Sequence, residues 1–488
     1  MVLVFFDIMR VCNRYYNKEG EEMIKGTFLM PHPPILIPQV GQGAESACSG
    51  LIDGLNQIAG KIKELAPETI IVITPHGPVF SDGIAIGYDQ ILKGDLGQFG
   101  HPEVACKKSN DLELVDQIIF ESGKIDVPCL KLNDENASYF NISKTLDHGV
   151  LVPLNFVDRA YMTYKIVHIT YGLFSSPKLY EFGRVIQDVI NQSGRDVVVI
   201  ASGDMSHCLK SEGPYEFHPD GPIFDTRLRE VLESKDILAN MFFDEKIQKN
   251  AGECGKRSID IMLGTLDGYD YSPKVYGYDG PFGVGYLAMG FEKIVKDKKR
   301  AFTEKIEKKA KAIQETRKSS ESHFVSLARR AIEHYLGLRE DIMYDSLPAE
   351  MFEAKAGTFV SLKKHGALRG CIGTIGPTQD HVALEVVANA VKAGFEDPRF
   401  PPLSVDELDE LEISVDVLLE PELITSTDEL DVNKYGVIVS CDYKRGLLLP
   451  NLEGIDTVEE QLRIAMQKGS ISDTDDFTLE RFEVVRYH

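Results

Sequence analysis

Three histidines stand at the ends of apolar runs, each just before a turn. Gly26-Thr27-Phe28-Leu29-Met30 leads into Pro31-His32-Pro33-Pro34, and Thr69-Ile70-Ile71-Val72-Ile73 leads into Thr74-Pro75-His76-Gly77. Val197-Val198-Val199-Ile200 leads towards Ser202-Gly203-Asp204-Met205-Ser206-His207. Ligands of open α/β sheets bind at the carboxyl ends of strands. Three imidazoles at three such ends can therefore converge although the chain keeps them far apart, and a metal-assisted site is the first expectation. Two neutral imidazoles and one carboxylate on one face of an iron(II) ion leave positions for substrate and O2. His32 and His76 form the best pair, since each follows a proline that restrains the local backbone. Glu253, in Ala251-Gly252-Glu253-Cys254-Gly255, is the expected carboxylate. Cys254 beside it is the alternative ligand and would give a softer site favouring copper(I) or zinc.

The elements that must position these groups alternate. Leu51, Leu55, Ile58, Ile62 and Leu65 recur at helical spacing, and Ala66-Pro67 ends that helix before the run leading to His76. A second helix over Leu179 to Ile190 and a turn at Ser193-Gly194 precede the run leading to His207, and Lys165 to Thr170 reads as another buried strand. Residues 24–295 are thus expected to form an α/β domain, a central mixed sheet covered by helices. Lone histidines are more often structural than ligating. His101 reads as a peripheral loop residue, His168 as core, and His218 as a loop residue before Pro219.

Composition narrows the function classes. Hydrophobic residues make up 43% and charged residues 26%, as in ordinary globular proteins. A formal net charge of −23 over 488 residues argues against a nucleic-acid partner, which would need a basic face, and against attraction to anionic membranes. The eight cysteines contain no C-x-x-C pair, which fits reduced thiols in a cytoplasmic protein. No stretch approaches the roughly 18 apolar residues that span a bilayer. Residues 1–23 are expected to be an extension outside the fold. Lys18-Glu19-Gly20 suggests a translated ribosome-binding stretch, with Met23 as the natural start. Between Lys296 and Lys318 there are ten Lys/Arg against four Asp/Glu, so the rest of the chain carries about −29. Residues 296–322 are expected to be a charged helical linker with a narrow stripe of Phe302, Ile306, Ala310 and Ile313.

Residues 323–488 read as a separate α+β domain. A helix from Phe324 to Leu336 stops at Gly337, and Thr358–Leu362 and Leu411–Leu419 read as strands. Val437–Leu449 reads as a hairpin turning near Lys444-Arg445-Gly446. Thr457 and Glu460 form a capping box, and Phe477–Tyr487 alternates like one strand. The compact motif here is Ala367-Leu368-Arg369-Gly370-Cys371-Ile372-Gly373-Thr374. Arg369 is placed to bind an anionic group or to favour a thiolate at Cys371; the plainer reading is a tight hairpin with a structural arginine.

Four motifs, in order, resemble the LigB-type class III extradiol dioxygenases and their Memo relatives: Pro31-His32-Pro33-Pro34, Thr74-Pro75-His76-Gly77, Leu146-Asp147-His148-Gly149-Val150-Leu151-Val152-Pro153-Leu154, and Ser202 to His207. The resemblance covers nearly all of 24–295. It implies non-haem iron(II) on His32, His76 and the acid equivalent to Glu253, with His207 as the catalytic base and His148 near substrate and oxygen. In Memo-like members a cysteine in a Cys-Gly turn takes the third position, which Cys254-Gly255 matches. The implied reaction incorporates O2 into a catechol-like substrate, with an imidazole such as His207 accepting a phenolic proton. The Arg369–Gly373 motif and Phe395-Glu396-Asp397-Pro398-Arg399-Phe400-Pro401-Pro402 resemble the AMMECR-type domain. Fusion of the two resembles the AmmeMemoRadiSam system and implies a radical SAM partner. The alternative function is then a Memo-like metal-binding or modification factor without ring cleavage.

Overall fold

Runs of Ile and Val supply the middle strands of the first sheet, because a strand covered by helices on both faces has no polar face to keep. A computed structural model describes residues 22–488 apart from Ser346, His365, Gly366 and Glu453. Of the expected extension, residues 1–23, those up to residue 21 lie outside the described residues, while Met23 is corrected to part of the fold, buried in the first core beside the start of β1. The first ten strands are β1 Ile24–Met30, β2 Thr69–Thr74, β3 Ile84–Gly87, β4 Ile91–Leu96, β5 His101–Ser109, β6 Cys129–Leu132, β7 Lys165–Thr170, β8 Val197–Ser202, β9 Tyr269–Asp279 and β10 Tyr286–Lys296. Eight of them form one mixed sheet in the order β6-β3-β7-β2-β8-β1-β10-β9, while β4 and β5 pair separately. Its centre, β7-β2-β8-β1, is parallel, and β10 and β9 add antiparallel strands beside β1.

The helices cover both faces. They are α1 Ser49–Leu65, α2 Leu112–Ser122, α3 His148–Ala160, α4 Ser176–Ser193, α5 Asp220–Ser234 and α6 Lys256–Gly264. Every residue of β2 and β8 is buried, and alternate residues serve opposite cores. Ile71, Ile73, Val199 and Ala201 pack with α2, α4, α5 and α6. Ile70, Val72, Val198 and Ile200 pack with α1 and α3. Strand interiors thus carry the core, and the polar residues that follow them open onto one edge of the sheet. Helix α1 ends where Ala66 turns left-handed ahead of Pro67, and α4 ends at Gly194 in the same conformation. The basic segment is helical over α7, Thr303–Ser320. Of its expected stripe, Ile306 is buried and Phe302 packs on the first core, but Ile313 is exposed, so the apolar face is shorter than expected.

The chain divides after Ala310 into two units. The second is α+β. It contains α8 His323–Tyr335, β11 Thr358–Lys364, β12 Ala367–Gly373, α9 Val382–Phe395, β13 Leu411–Leu418, β14 Glu422–Ile424, β15 Gly436–Cys441, β16 Lys444–Leu448, α10 Val458–Gly469, β17 Thr478–Phe482 and β18 Val484–Tyr487. Two antiparallel sheets result, β12-β11-β13-β18 and β14-β17-β15-β16. Helices α8 and α9 cover the first, and α10 packs against the second. Thr457 caps α10 by accepting from the Glu460 amide. Two expectations are corrected. The hairpin turns at Asp442-Tyr443, because Cys441 pairs with Lys444 and Asp442 takes the positive φ that a two-residue loop requires. The last segment is two strands, since the chain changes sheets at Glu483. Among the described residues no helix is long and apolar enough to cross a membrane.

Candidate metal centre

The loops after β1, β2 and β8 meet at one edge of the sheet. β1 and β8 run parallel with Met30 beside Ser202, so His32 and Asp204 emerge side by side. The His32 amide donates to Asp204 Oδ1 at 3.0 Å. The Thr74 hydroxyl, at the end of β2, donates to Asp147 Oδ1 at 2.6 Å, and the same carboxylate caps α3 through the Gly149 amide. His76 and His148 are thereby set against each other, with rings stacked 4.1 Å apart. His32 Nε2 and His76 Nε2 are 2.8 Å apart, and Cys254 Sγ lies 3.6 Å from His32 Nε2. These three donor atoms lie within 4.8 Å of one another.

Glu253 is not among them, which corrects the expected third donor. Its Oε2 accepts from the Lys256 amide at 2.6 Å at the start of α6, and its Oε1 accepts from Gln248 on the short helix Glu245–Ala251 at 2.8 Å. Adjacent side chains in this turn diverge, and the first-turn amides of α6 claim the carboxylate. The thiol is what faces the imidazoles. It accepts a hydrogen bond from the Asp204 amide at 3.2 Å.

The protonation pattern suits a cation. Ser202 has one hydroxyl proton and gives it to the Gly149 carbonyl. Its oxygen therefore accepts from His32 Nδ1, 2.8 Å away, and the proton on Nδ1 leaves the Nε2 lone pair facing the cluster. Burial, reinforced by His76, holds His32 well below the ordinary histidine range. Burial also lowers His76 and His207 to about 4 each, and lowers His148. All four rings are neutral at neutral pH, as ligands and proton acceptors must be. Burial pushes the Cys254 thiol well up, so its thiolate forms where a cation offsets the charge. The donor set therefore fits a transition-metal ion. Ser202→Ala should remove the group that fixes the His32 tautomer. Metal affinity is expected to fall about 10–100-fold, the usual cost of losing such a partner, as read by competition with a chelator.

His148 and His207 flank the trio. Gln98 donates to His148 Nδ1 at 3.3 Å, which leaves the His148 proton on Nε2. Phe99 lies edge-on to His148 at 5.3 Å, and Tyr215 stacks on His207 at 5.1 Å. Asp204, His207 and Cys254 form a second group with donor atoms within 4.8 Å. Sequence reasoning gave no role to Ser202 and Asp204, although both lie inside the motif quoted for His207. Among the other histidines, His168 is buried in β7 beside Asp147. His101 pairs with Glu103, and His218 lies beside Asp220.

In the second unit Arg369 does not serve Cys371. Its guanidinium forms a two-pronged pair with Glu407, 2.8 Å on each prong, and donates to the Pro401 carbonyl. Arg399, Lys468 and Arg486 each interact electrostatically with Cys371, and Ser361 Oγ lies 3.2 Å from its sulfur. Cys371 sits on β12, which pairs antiparallel with β11 so that Lys364 stands opposite Ala367 and Ser361 opposite Cys371, in keeping with the plainer reading of a hairpin. Buried Asp397 accepts from the Cys371 amide at 2.9 Å and from Arg399 at 2.7 Å. The Arg399 hydrogen bonds hold its carboxyl below the usual carboxylate range. Its contribution to stability is thus complete above the unfolded value of about 3.9 and is lost as pH falls through the depressed folded value. Asp397→Asn should cost on the order of 1–3 kcal/mol at pH 7 and flatten the loss of stability below about pH 4, measured by denaturant unfolding across pH.

Comparison with known proteins agrees with this architecture. Residues 26–289 match the family model described as the catalytic LigB subunit of aromatic ring-opening dioxygenase, and residues 325–488 match AMMECR1. The chain belongs to the LigB family over its first unit and carries an AMMECR1 domain after it. Among its relatives, protein CA_C1420 of Clostridium acetobutylicum is 42% identical over 466 residues, covering 95% of this chain and 99% of that protein. A Thermotoga maritima protein is 51% identical over 170 residues, 34% of this chain and 98% of its own length. The crystal structure of the uncharacterized protein PH0010 from Pyrococcus horikoshii is 33% identical, with a TM-score of 0.31, and covers 33% of this chain and 88% of that one.

Proposed function

We propose that the first unit is a metal-dependent oxidoreductase that holds one transition-metal ion on His32, His76 and Cys254 and uses O2 to open a catechol-like ring. The observation that carries this reading is the approach of the three donor atoms to within 4.8 Å, with the His32 lone pair freed by Ser202. Iron(II) is the ion this reading requires. A redox-active ion held there supplies Lewis acidity and electron transfer to oxygen. The protein's own groups do the rest. His76 keeps part of its surface open to solvent, although its ring is largely desolvated by its neighbours, and leaves the cluster open on that side. Phe99 beside His148 and Tyr215 beside His207 offer aromatic surface near the cluster for a flat substrate. His207, neutral and beside the cluster, accepts a phenolic proton at a ring nitrogen, and His148 donates from Nε2 to a substrate oxygen.

A second reading is favoured by the sulfur that stands where the ring-opening chemistry expects a carboxylate. Thiolate ligands select softer ions such as copper(I) or zinc. This reading makes the chain a Memo-like metal-binding or modification factor that acts with a radical SAM partner and does not cleave rings. One experiment separates the two: elemental analysis of the full chain purified anaerobically, followed by oxygen uptake over a panel of catechols. About one iron per chain with diol-dependent uptake supports the first. Bound zinc or copper without uptake supports the second, and a chain that retains no metal defeats both.

A further inference from the structure

The sulfur of Cys254 belongs to two donor groups, and the centre on His32 and His76 takes up only one of them. We infer that Asp204, His207 and Cys254 form a second cation site beside the first, with Cys254 Sγ bridging the two ions as a thiolate. The inference rests on the reading that His32 and His76 hold an ion.

The geometry is that of a built site. The donor atoms of Asp204, His207 and Cys254 all lie within 4.8 Å of one another. Asp204 is buried and its two oxygens are divided. Oδ1 accepts from the His32 amide, while Oδ2 faces the cluster, 3.9 Å from His32 Nε2. The carboxylate therefore touches the first group without being spent on it. The His207 amide donates to the Ala251 carbonyl at 2.9 Å, and the Gly255 amide donates to the Asp204 carbonyl at 3.0 Å. These bonds tie segment 204–207 to segment 251–255 on both sides of the sulfur, so the donors are held before any ion arrives. The set is one oxygen, one nitrogen and one sulfur, which suits zinc, cobalt(II) or iron(II). A thiolate has lone pairs enough for two ions, and the thiol proton leaves to solvent when the first ion binds.

Occupancy of this site and proton acceptance by His207 exclude each other, because both need the same ring nitrogen. A chain loaded at both sites would keep His148 as its remaining imidazole for substrate.

The test uses the full chain, stripped of metal and reduced, titrated anaerobically with cobalt(II) alone. Visible absorption reports tetrahedral and thiolate ligation, and elemental analysis after gel filtration gives the stoichiometry. About two equivalents are expected for the unsubstituted chain, and about one for His207→Ala and for Asp204→Asn. About one equivalent is also expected for the His32→Ala, His76→Ala double variant, still with a thiolate band. Circular dichroism checks folding, and two second-site variants guard against one failing to fold. A single equivalent that is lost in His32→Ala overturns the second site and leaves the first reading standing. Two equivalents that persist in both His207→Ala and Asp204→Asn also overturn it. No binding at all overturns the first reading and this inference together.

Discussion

Cys254→Ala should empty the centre, whereas Glu253→Gln should leave it loaded. The two residues are neighbours in the same turn and both are partly buried, yet their side chains serve different structures. Cys254 Sγ lies 3.6 Å from His32 Nε2, and the Glu253 carboxylate is bound to the Lys256 amide and Gln248. Loss of a direct ligand should exceed the roughly 10–100-fold that loss of an outer hydrogen bond costs in metal affinity. Glu253→Gln keeps an acceptor at the start of α6 and should cost only about 1 kcal/mol of stability. Elemental analysis and chelator competition on the two variants decide the matter. Metal retained in Cys254→Ala and lost in Glu253→Gln would mean that the turn inverts when an ion binds.

Gly203→Ala should damage fold and centre together. A Cβ at residue 203 would stand 2.1 Å from Gly255 Cα and 3.0 Å from its nitrogen. Both obstructing atoms are backbone, so no rotamer change relieves the clash. The loop that presents Asp204 and the turn that presents Cys254 would have to part. Overpacking of this kind costs about 1–3 kcal/mol, sometimes more, or several degrees of melting temperature in a unit of this size. The same separation stretches the Asp204 amide away from Cys254 Sγ, so metal content should fall as well. Thermal unfolding and metal analysis read the two effects. A variant as stable and as metal-rich as the parent chain would show that the two segments do not approach this closely.

The scaffold was readable because its strands are buried on both faces and so spell out uninterrupted apolar runs. β2, β7 and β8 begin at Thr69, Lys165 and Val197, where the runs begin. His32, His76 and His207 follow from those run ends. His148 was found by motif alone; it opens a helix instead of ending a strand, and Asp147 caps that helix. The choice between Glu253 and Cys254 was not readable. Side-chain direction in a glycine-rich turn depends on which distant amides compete for the carboxylate, and Gln248 and Lys256 carry no signature of that competition. Arg369 is the structural arginine of the plainer reading, but its partner carries no signature in the sequence: Glu407 lies 38 residues away. Ser202 escaped notice because fixing a tautomer demands only a hydroxyl.

The donors at His32 and Cys254 are separated by 222 positions along the chain. An ion gripping both acts as a reversible cross-link around most of the first unit, and long loops are those whose closure gains most from a clip. During synthesis the earliest imidazole must wait until the turn at residue 254 has left the ribosome and folded back. On the proposed reading metal acquisition is a late event, and a nascent or truncated chain that ends before this turn would carry histidines without a place to hold the ion. Once made, the link draws the equilibrium towards the native state by mass action, so chelation should expose the first unit to proteases more readily than saturation does.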